Sequence, residues 1–154
     1  MSNRLQGKVV AITGGSQGIG LAIARRFADE GADISFCYRS NKAGADEVVA
    51  NIQKTGRRVA GFQYDVSSVS EGQKFIADTA AQFGQIDILI NNAGLERRAD
   101  FWDVTEANFD AVMNVNLKGL FFITQAFVKN RIASASALKI ERKNYQYQLG
   151  PRRA

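Results

Sequence analysis

A glycine-rich stretch is the part of the sequence best suited to binding an anion. Residues 13–20 read Thr-Gly-Gly-Ser-Gln-Gly-Ile-Gly, directly after the apolar run at residues 9–12 and before a segment with helical periodicity. Glycines permit a tight turn and close backbone approach to a pyrophosphate, and the N–H groups at a helix N-terminus favour an anion. A plain tight turn is the structural alternative, but the strand before it and the helix after it favour a phosphate site.

The composition restricts the side chains available for proton transfer. The sequence contains no histidine and a single cysteine, Cys37. Catalytic triads, metal sites and general bases built on histidine are therefore excluded. Cys37 lies in an apolar run without a second thiol, so we expect a buried structural thiol and predict no metal site. Proton chemistry would have to use tyrosine, lysine or carboxylates.

The residues around the second predicted strand bear on the type of nucleotide. In a dinucleotide site of this type, a carboxylate at the end of that strand binds the ribose 2′-hydroxyl of NAD, whereas a cation binds the 2′-phosphate of NADP. Asp33 stands at the start of the strand, and Arg39 and Ser40 follow its end. An exposed arginine is usually a solvated surface residue, but this position favours NADP as the cofactor, with NAD as the alternative.

Apolar runs rich in β-branched residues alternate with segments of helical period. Strands are predicted at residues 9–12, 33–38, 59–64 and 86–90. The last of these is apolar enough to be covered on both faces. This alternation is typical of βαβ units, so we predict an α/β fold with a doubly wound parallel sheet of the Rossmann type. The chain would supply its N-terminal part, with strand order 3-2-1-4.

The predicted helices have recognisable ends. The first ends near Gly31, the second covers residues 43–55, the third begins with a capping box of Ser70 and Gln73, and the last is capped by Thr105. The apolar positions expected to face the core are Ile19, Ile23 and Phe27 in the first helix and Phe109, Val112, Met113, Leu117 and Phe121 in the last.

The overall charge does not indicate a polyanionic partner. The chain has 154 residues, 45% apolar and 23% charged, which is typical of one globular domain. Its net charge of +5 is carried by residues 131–154, which hold six basic residues and one acidic residue. A basic tail alone does not favour nucleic acid as a partner. The apolar runs are short and no signal segment is recognised, so we expect a cytoplasmic protein with no membrane segment.

The composition changes near residue 130. We therefore predict an incomplete nucleotide-binding domain at residues 1–130, followed by an atypical basic tail at residues 131–154. Residues 131–138 read either as a poor fifth strand or as the beginning of a disordered tail, and we favour the tail.

Four motifs occur in the order and spacing of the short-chain dehydrogenase/reductase family, which the chain resembles over about residues 5–130. These motifs are Thr13-Gly14-x-x-x-Gly18-Ile19-Gly20, Asp65-Val66, Asn91-Asn92-Ala93-Gly94 and Asn116-Leu117-Lys118-Gly119. Within the family, the stretches at residues 38–41 and 94–96 look closest to those of glucose 1-dehydrogenases. The resemblance implies hydride transfer between a nicotinamide cofactor and a small alcohol or carbonyl compound, sugars included.

The resemblance also implies a set of cofactor contacts. Asp65 would bond to the adenine and Val66 would form an apolar wall, although Asp65 also suits the end of a strand. The backbone of residues 92–94 would lie beside the adenosine ribose, or would form a plain turn after the fourth strand. The cofactor residues expected are Gly14, Ser16, Gln17, Gly18, Ile19, Gly20, Arg39, Ser40, Asp65, Val66, Asn92, Ala93 and Gly94.

Asn116 is the one catalytic residue that the resemblance implies. In the family this position holds a water molecule linked to a catalytic lysine, whereas a hydrogen-bonded core asparagine is the structural alternative. We expect Asn116 to lie among the inward residues of its helix.

The catalytic Tyr-x-x-x-Lys pair of the resembled family is predicted to be missing from the chain. Tyr145 is followed four residues later by Leu149, and Tyr147 by Pro151. Ser134 precedes Tyr147 by thirteen residues, a spacing that the family uses, but we do not assign this pair. The sequence therefore predicts a truncated or frame-shifted chain, or a divergent C-terminal end.

Three functions stay open at this stage: an oxidoreductase acting on a small molecule, a non-catalytic nucleotide-binding fragment, and a nucleic-acid binder that uses the tail. A homo-oligomer through the helix that begins near Thr105 is also compatible with the family resemblance.

Overall fold

The computed structural model of the chain describes residues 3–137, in which four parallel strands form one sheet. The strand order β3-β2-β1-β4 agrees with the prediction. Val9 lies opposite Asp33, and Ile34 lies opposite Val59. The strands are β1 (Val9–Thr13), β2 (Asp33–Tyr38), β3 (Val59–Gln63) and β4 (Ile88–Ile90).

Helices cover both faces of this sheet, which makes the fold a doubly wound α/β fold of the Rossmann type. A π-helical segment (Asn114–Gly119) joins the last two helices, and a short 3-10 turn (Phe101–Asp103) precedes them. The helices are α1 (Gly18–Asp29), α2 (Lys42–Gln53), α3 (Val69–Phe83), α4 (Glu106–Met113) and α5 (Leu120–Ala137).

The hydrophobic core has one layer on each side of the sheet, because successive side chains of a strand point to opposite faces. Ile12 and Phe36 face α1 and α2, where Ala24, Ala28, Ala45, Val48 and Ile52 are buried. Ala11 and Cys37 face α3 and α5, where Phe75, Ile76 and Ile123 are buried. Strand β1 is buried along its whole length, so the residues that follow it start from a rigid position.

Strand β4 differs from its prediction in length and cover. It is shorter than expected and its three residues are half-buried rather than covered on both faces. The physical reason is its place at the edge of the sheet that the described residues form, where one side of the strand has no neighbouring strand.

Polar side chains cap α3 and α4 as predicted, but the residue that caps α3 is not the predicted one. Thr105 caps α4 as predicted, with Oγ1 accepting a hydrogen bond from Asn108 N at 3.2 Å. The predicted capping box of Ser70 and Gln73 is wrong. Ser68 caps α3 by accepting from Glu71 N at 3.4 Å, and Glu71 Oε2 accepts from Asp65 N at 2.7 Å. The loop before α3 therefore ends earlier than the sequence suggested.

Several apolar positions predicted to face the core are exposed. Ile19 is 74% exposed, and Phe109, Leu117 and Phe121 are each more than half exposed. The buried positions in this region are Val115, Gly119 and Ile123. A π-helical turn holds more residues than an α-helical turn, so the α-helical period cannot be continued from α4 into α5.

Residues 131–137 belong to α5, so the alternatives of a poor strand or a disordered tail are wrong for this stretch. Arg131 lies 3.7 Å from the carboxylate of Asp87, and the alanines at 133, 135 and 137 favour a helix. The basic segment at residues 138–154 lies outside the described residues.

One helical stretch, at residues 106–134, is long and apolar enough by length and composition to cross a membrane, with a mean hydropathy of 1.3 over an 18-residue window within it. The short apolar runs of the sequence did not predict this. One side of the stretch packs on α3 and the sheet through Ile123, Ala126 and Phe127. The other side presents Phe109, Phe121 and other apolar side chains outward.

Glu30 joins the end of α1 to the N-terminal segment. Its carboxylate is buried and accepts hydrogen bonds from Arg4 at 3.1 Å and from Arg26 at 2.5 Å. The hydrogen bond from Arg4, with the charges of Arg4 and Arg26, holds the pKa of Glu30 below its ordinary value of 4.5. The ionised carboxylate therefore stabilises the fold above that pH, and this stabilisation is lost as the pH falls through the lowered pKa.

We predict that Glu30→Gln lowers the free energy of unfolding at neutral pH. We also predict that the variant loses less stability than the wild type when the pH is lowered. The measurement is the urea midpoint of unfolding at about pH 7 and about pH 3.5. Asp46→Asn is the matched control, because Asp46 pairs with Lys42 and both side chains are exposed. Identical midpoints for the Glu30 variant and the wild type at both pH values would contradict the prediction.

Candidate functional site

A cavity of about 370 Å³ lies where the strands end at the carboxyl edge of the sheet. This is the edge at which ligands bind in open parallel sheets. Twelve of the thirteen residues predicted to contact a cofactor line it, namely Gly14, Ser16, Gln17, Gly18, Ile19, Arg39, Ser40, Asp65, Val66, Asn92, Ala93 and Gly94. The structure therefore brings together residues from four separate loops.

Gly20 is the thirteenth residue, and it supports the cavity from behind. A Cβ atom at this position would overlap the carbonyl oxygen of Gly14 and would lie 2.6 Å from Asn92 Nδ2. The absence of a side chain therefore lets α1 begin directly against the turn. Gly20 contributes close packing rather than a surface of the cavity.

The glycine turn itself adopts a backbone that other residues resist. Gly14 has φ +70° and Gly18 has φ +55°, both in the left-handed region. A Cβ at Gly18 would meet no atom within 4 Å, so the space beside this glycine is open. A ligand can therefore approach the backbone closely at the start of α1.

Thr13 connects the glycine turn to the loop after β4, and the sequence analysis did not assign it a role. Its buried Oγ1 accepts hydrogen bonds from Asn92 N and Ala93 N, each at 3.0 Å. In return, Asn92 Nδ2 donates to Thr13 O at 3.0 Å and to Gly14 O at 3.1 Å. The threonine directly before the first motif glycine was the available signal, because a hydroxyl at a strand end can hold a neighbouring loop.

Asp65 and Val66 occupy the loop after β3. Asp65 Oδ1 accepts a hydrogen bond from Ser67 N at 2.9 Å, which agrees with the structural alternative of a residue that ends a strand. Both residues also line the cavity. Gly119 in the π-helical segment packs against Val66, since a Cβ there would overlap the Val66 carbonyl oxygen. The apolar wall at Val66 is thereby fixed in place.

Arg39 is the one cation among the described residues that line the cavity. Its guanidinium has no hydrogen-bond or ion-pair partner within the described part of the chain, and Gln63 Nε2 donates to its main-chain oxygen at 3.1 Å. Asp33 lies at the start of β2, as predicted, and it pairs with Arg58 at 2.7 Å. The positive charge of Arg39 is therefore available to an anion in the cavity.

Asn116 is exposed, so the expectation of an inward-facing core asparagine is wrong. Both polar atoms of its amide are nevertheless hydrogen-bonded. Oδ1 accepts from Leu95 N at 2.8 Å, and Nδ2 donates to Leu95 O at 2.9 Å. Leu95 lines the cavity, so Asn116 positions the loop after β4 from the π-helical segment. The water-holding role implied by the resemblance stays a prediction.

A Tyr-x-x-x-Lys spacing does occur in the chain, at Tyr38 and Lys42, and the sequence analysis overlooked it. Tyr38 is buried at the end of β2, beside Arg39. Lys42 begins α2, and its ammonium lies 2.7 and 2.8 Å from the carboxylate oxygens of Asp46. Lys42 is thus paired on its own helix, and within the described contacts no hydrogen bond joins it to Tyr38.

Ser134, a further candidate for catalysis, does not line this cavity. Ser134 lies on α5 and lines a separate cavity with Gly7 and Val9, at the amino end of β1. Tyr145 and Tyr147 lie outside the described residues. Cys37 lines the cavity but has no exposed surface, and burial raises the pKa of its thiol to about 12, which agrees with the expected structural role.

The parallel sheet, the glycine turn and the cavity at the strand ends define a Rossmann-type nucleotide-binding fold. Comparison with known proteins gives the family. The sequence model of the short chain dehydrogenases matches residues 8–139, and the chain belongs to this family.

Three similar proteins illustrate the relationship. An uncharacterised oxidoreductase of Methylorubrum extorquens is 38% identical over 138 residues, which are 90% of this chain and 56% of that protein. A short chain dehydrogenase from Burkholderia cenocepacia, solved in complex with NADP, has a TM-score of 0.81 at 40% identity, with 82% of this chain and 52% of that chain covered.

The third is an NADH-dependent reductase of alginate metabolism, with a TM-score of 0.80 at 31% identity and coverage of 88% of this chain and 56% of that one. The chain thus spans about half the length of the relatives it matches.

We predict that Thr13→Val destabilises the chain by about 2 kcal/mol, because two main-chain N–H groups lose their acceptor while the volume is kept. Thr13→Ser is the matched control, since it retains the hydroxyl. Urea unfolding of both variants measures the difference. If serine and valine cost the same free energy of unfolding, the hydroxyl is not what holds the loop after β4.

Proposed function

We propose that this chain binds NADP(H), and NAD(H) more weakly, in the cavity at the carboxyl edge of the sheet. By its family, the chain would serve an oxidoreductase that transfers hydride between the nicotinamide ring and a small alcohol or carbonyl compound, sugars included. The observation that carries the proposal is one continuous cavity lined by both the glycine turn and the free guanidinium of Arg39.

The N-terminus of α1 supports a pyrophosphate at the glycine turn. Three helices of the described chain are capped by a side chain, namely that of Asn41, Ser68 or Thr105. The residue at the same position before α1 is Gln17, whose side chain makes no capping hydrogen bond. The first N–H groups of α1 are therefore left for a ligand, and the helix dipole favours an anion there.

The remaining lining fits the rest of the nucleotide. Arg39 and Ser40 would bind the 2′-phosphate, Asp65 and Val66 the adenine, and the backbone of residues 92–94 the adenosine ribose. A guanidinium and a hydroxyl suit a phosphate, whereas no carboxylate stands at the end of β2 to accept from a ribose hydroxyl. The NADP complex of the Burkholderia cenocepacia relative supports this assignment, and the NADH-dependent relative is the reason to test both cofactors.

The chemistry of the cavity beyond the ribose favours a second candidate function, cofactor binding without catalysis by residues 1–154. When bound, the nicotinamide ring would supply the hydride chemistry. Ala93, Gly94, Leu95 and Val115, which the loop after β4 and the π-helical segment contribute to the lining, cannot donate or accept a proton through their side chains. Asn116 does not titrate, and its amide is occupied by Leu95.

We also propose that the chain is cytoplasmic and that its helical stretch at residues 106–134 does not cross a membrane. Polar contacts tie this stretch to the sheet, including Asn91 Nδ2 to Thr124 Oγ1 at 2.9 Å and the pair of Arg131 and Asp87. Insertion into lipid would break these contacts and bury their groups unpaired. A homo-oligomer through the exposed side of the stretch stays a prediction, and nucleic acid is not favoured as a partner.

We predict that Arg39→Asp reverses the cofactor preference. Repulsion between a carboxylate and the 2′-phosphate replaces a charge-assisted hydrogen bond of about 1.5–3 kcal/mol, so NADP affinity should fall by about tenfold or more. Calorimetric titration with both nucleotides measures this. Arg25→Asp, an exposed position on α1 outside the cavity lining, makes the same charge change and should leave the preference intact. Equal affinity for both nucleotides in all three proteins would refute the assignment of Arg39.

We further predict that the 154-residue chain binds NADPH without enzymatic turnover. Loss of acid/base assistance typically lowers a rate by about 10²–10⁴-fold, and imperfect substrate positioning lowers it further. The measurement is the absorbance of reduced cofactor with glucose, other polyols and simple ketones. Turnover abolished by Tyr147→Phe would instead assign the C-terminal tyrosine, and turnover abolished by Tyr38→Phe would assign the pair of Tyr38 and Lys42.

A further inference from the structure

The side chain of Asn41 connects two parts of the cavity that come from different elements. Its Oδ1 accepts a hydrogen bond from Gly44 N at 3.1 Å, which caps α2. Its Nδ2 donates to Gln17 Oε1 at 3.0 Å, which reaches the glycine turn. One amide therefore fixes the start of α2 and also joins it to the turn before α1.

We infer that Asn41 is a positioning residue that sets the preference of the chain for NADP over NAD. The inference rests on the proposed function, in which the glycine turn binds the pyrophosphate and Arg39 binds the 2′-phosphate. Asn41 follows Ser40 directly, so the bridge to Gln17 fixes the distance between these two binding regions.

The packing around the bridge leaves little room for the segment to move toward the turn. A Cβ at Gly44 would lie 2.8 Å from the Ser16 carbonyl oxygen, so α2 begins in close contact with the glycine turn. On the other side, Gln63 Nε2 on β3 donates to Arg39 O at 3.1 Å. The main chain of residues 39–41 is thus held from two sides, while the guanidinium of Arg39 stays free.

This arrangement affects the ratio of NADP to NAD affinity more than it affects the affinity for both nucleotides together. Both cofactors carry the pyrophosphate, and only NADP carries the 2′-phosphate. A loosened segment would weaken the contact of Arg39 and Ser40 with that phosphate, because the order of the segment would have to be created on binding. The contact of NAD with the glycine turn would change much less.

A pure capping role for Asn41 is the alternative, and the choice of variant separates the two. Serine is a good helix cap but is too short to reach Gln17. Alanine removes both the cap and the bridge. Gln17→Met removes the bridge from the other side and leaves the cap of α2 in place.

The experiment is calorimetric titration of the full chain with NADP and NAD, for the wild type, Asn41→Ser, Asn41→Ala, Gln17→Met and the double variant Asn41→Ser/Gln17→Met. Circular dichroism of each protein checks its helix content. We expect Asn41→Ser to lower the ratio of NADP to NAD affinity by about three- to tenfold, the effect of losing one hydrogen bond. Gln17→Met should lower the ratio similarly, and the double variant should lower it no further. The ratio is the readout because Gln17 and Asn41 both line the cavity, so that either variant can also change the affinity for both nucleotides.

Several results would overturn the inference. If the wild type prefers NADP and Asn41→Ser has the same ratio of NADP to NAD affinity, the inference is refuted and the proposed function is left intact. A preference for NADP that is lost in Asn41→Ala but kept in Asn41→Ser would assign the effect to the cap of α2. Losses that add in the double variant would show that the two side chains act separately. A wild type that binds neither nucleotide would overturn the proposed function and the inference together.

Discussion

The hydrogen bonds of Thr13 and Asn92 determine the shape of the site, because they tie the end of β1 to the loop after β4. Thr13 Oγ1 holds two main-chain N–H groups of that loop, and Asn92 Nδ2 holds two carbonyl oxygens of the glycine turn. The close fit of Gly20 against Gly14 depends on the same contact. These four hydrogen bonds hold the loop after β4 against the glycine turn, and the loop forms one side of the cavity.

The helices differ in whether a side chain caps their first N–H groups. At α2, α3 and α4 a side chain satisfies the first N–H groups, which completes these helices within the protein. At α1 the corresponding groups face the glycine turn without a capping side chain. Gly18 and Ile19 at this helix start are exposed, so their N–H groups are open to water or to an anion, and the helix dipole favours the anion. The stabilisation expected from a bound pyrophosphate therefore includes an interaction that the fold itself leaves incomplete.

The π-helical segment has two consequences that a regular helix would not provide. It presents Asn116 to the loop after β4, where both atoms of its amide hold Leu95. It also changes the rotation of α5 relative to α4, so that Ile123 packs inward while Phe121 and Leu117 face outward. The packing of the core and the position of the cavity wall thus depend on the same irregular turn. Interruptions of this kind are common at functional sites in helices.

The family resemblance supplied Asp65, Val66 and residues 92–94 of the cavity lining. The sequence by itself determined the alternation of strands and helices, the strand order of a Rossmann-type sheet and the glycine turn, because apolar periodicity and glycine spacing are local properties of the chain. It also located Arg39 at the correct end of β2. The roles of Thr13 and Asn41, the exposure of Asn116, and the separation of Ser134 from the cavity required the tertiary structure. These features depend on contacts between residues far apart in the chain. In the last helices they also depend on a π-helical turn, which the hydrophobic periodicity of the sequence does not predict. Local patterns specify which element a residue joins, whereas the packing of elements decides which side chains meet.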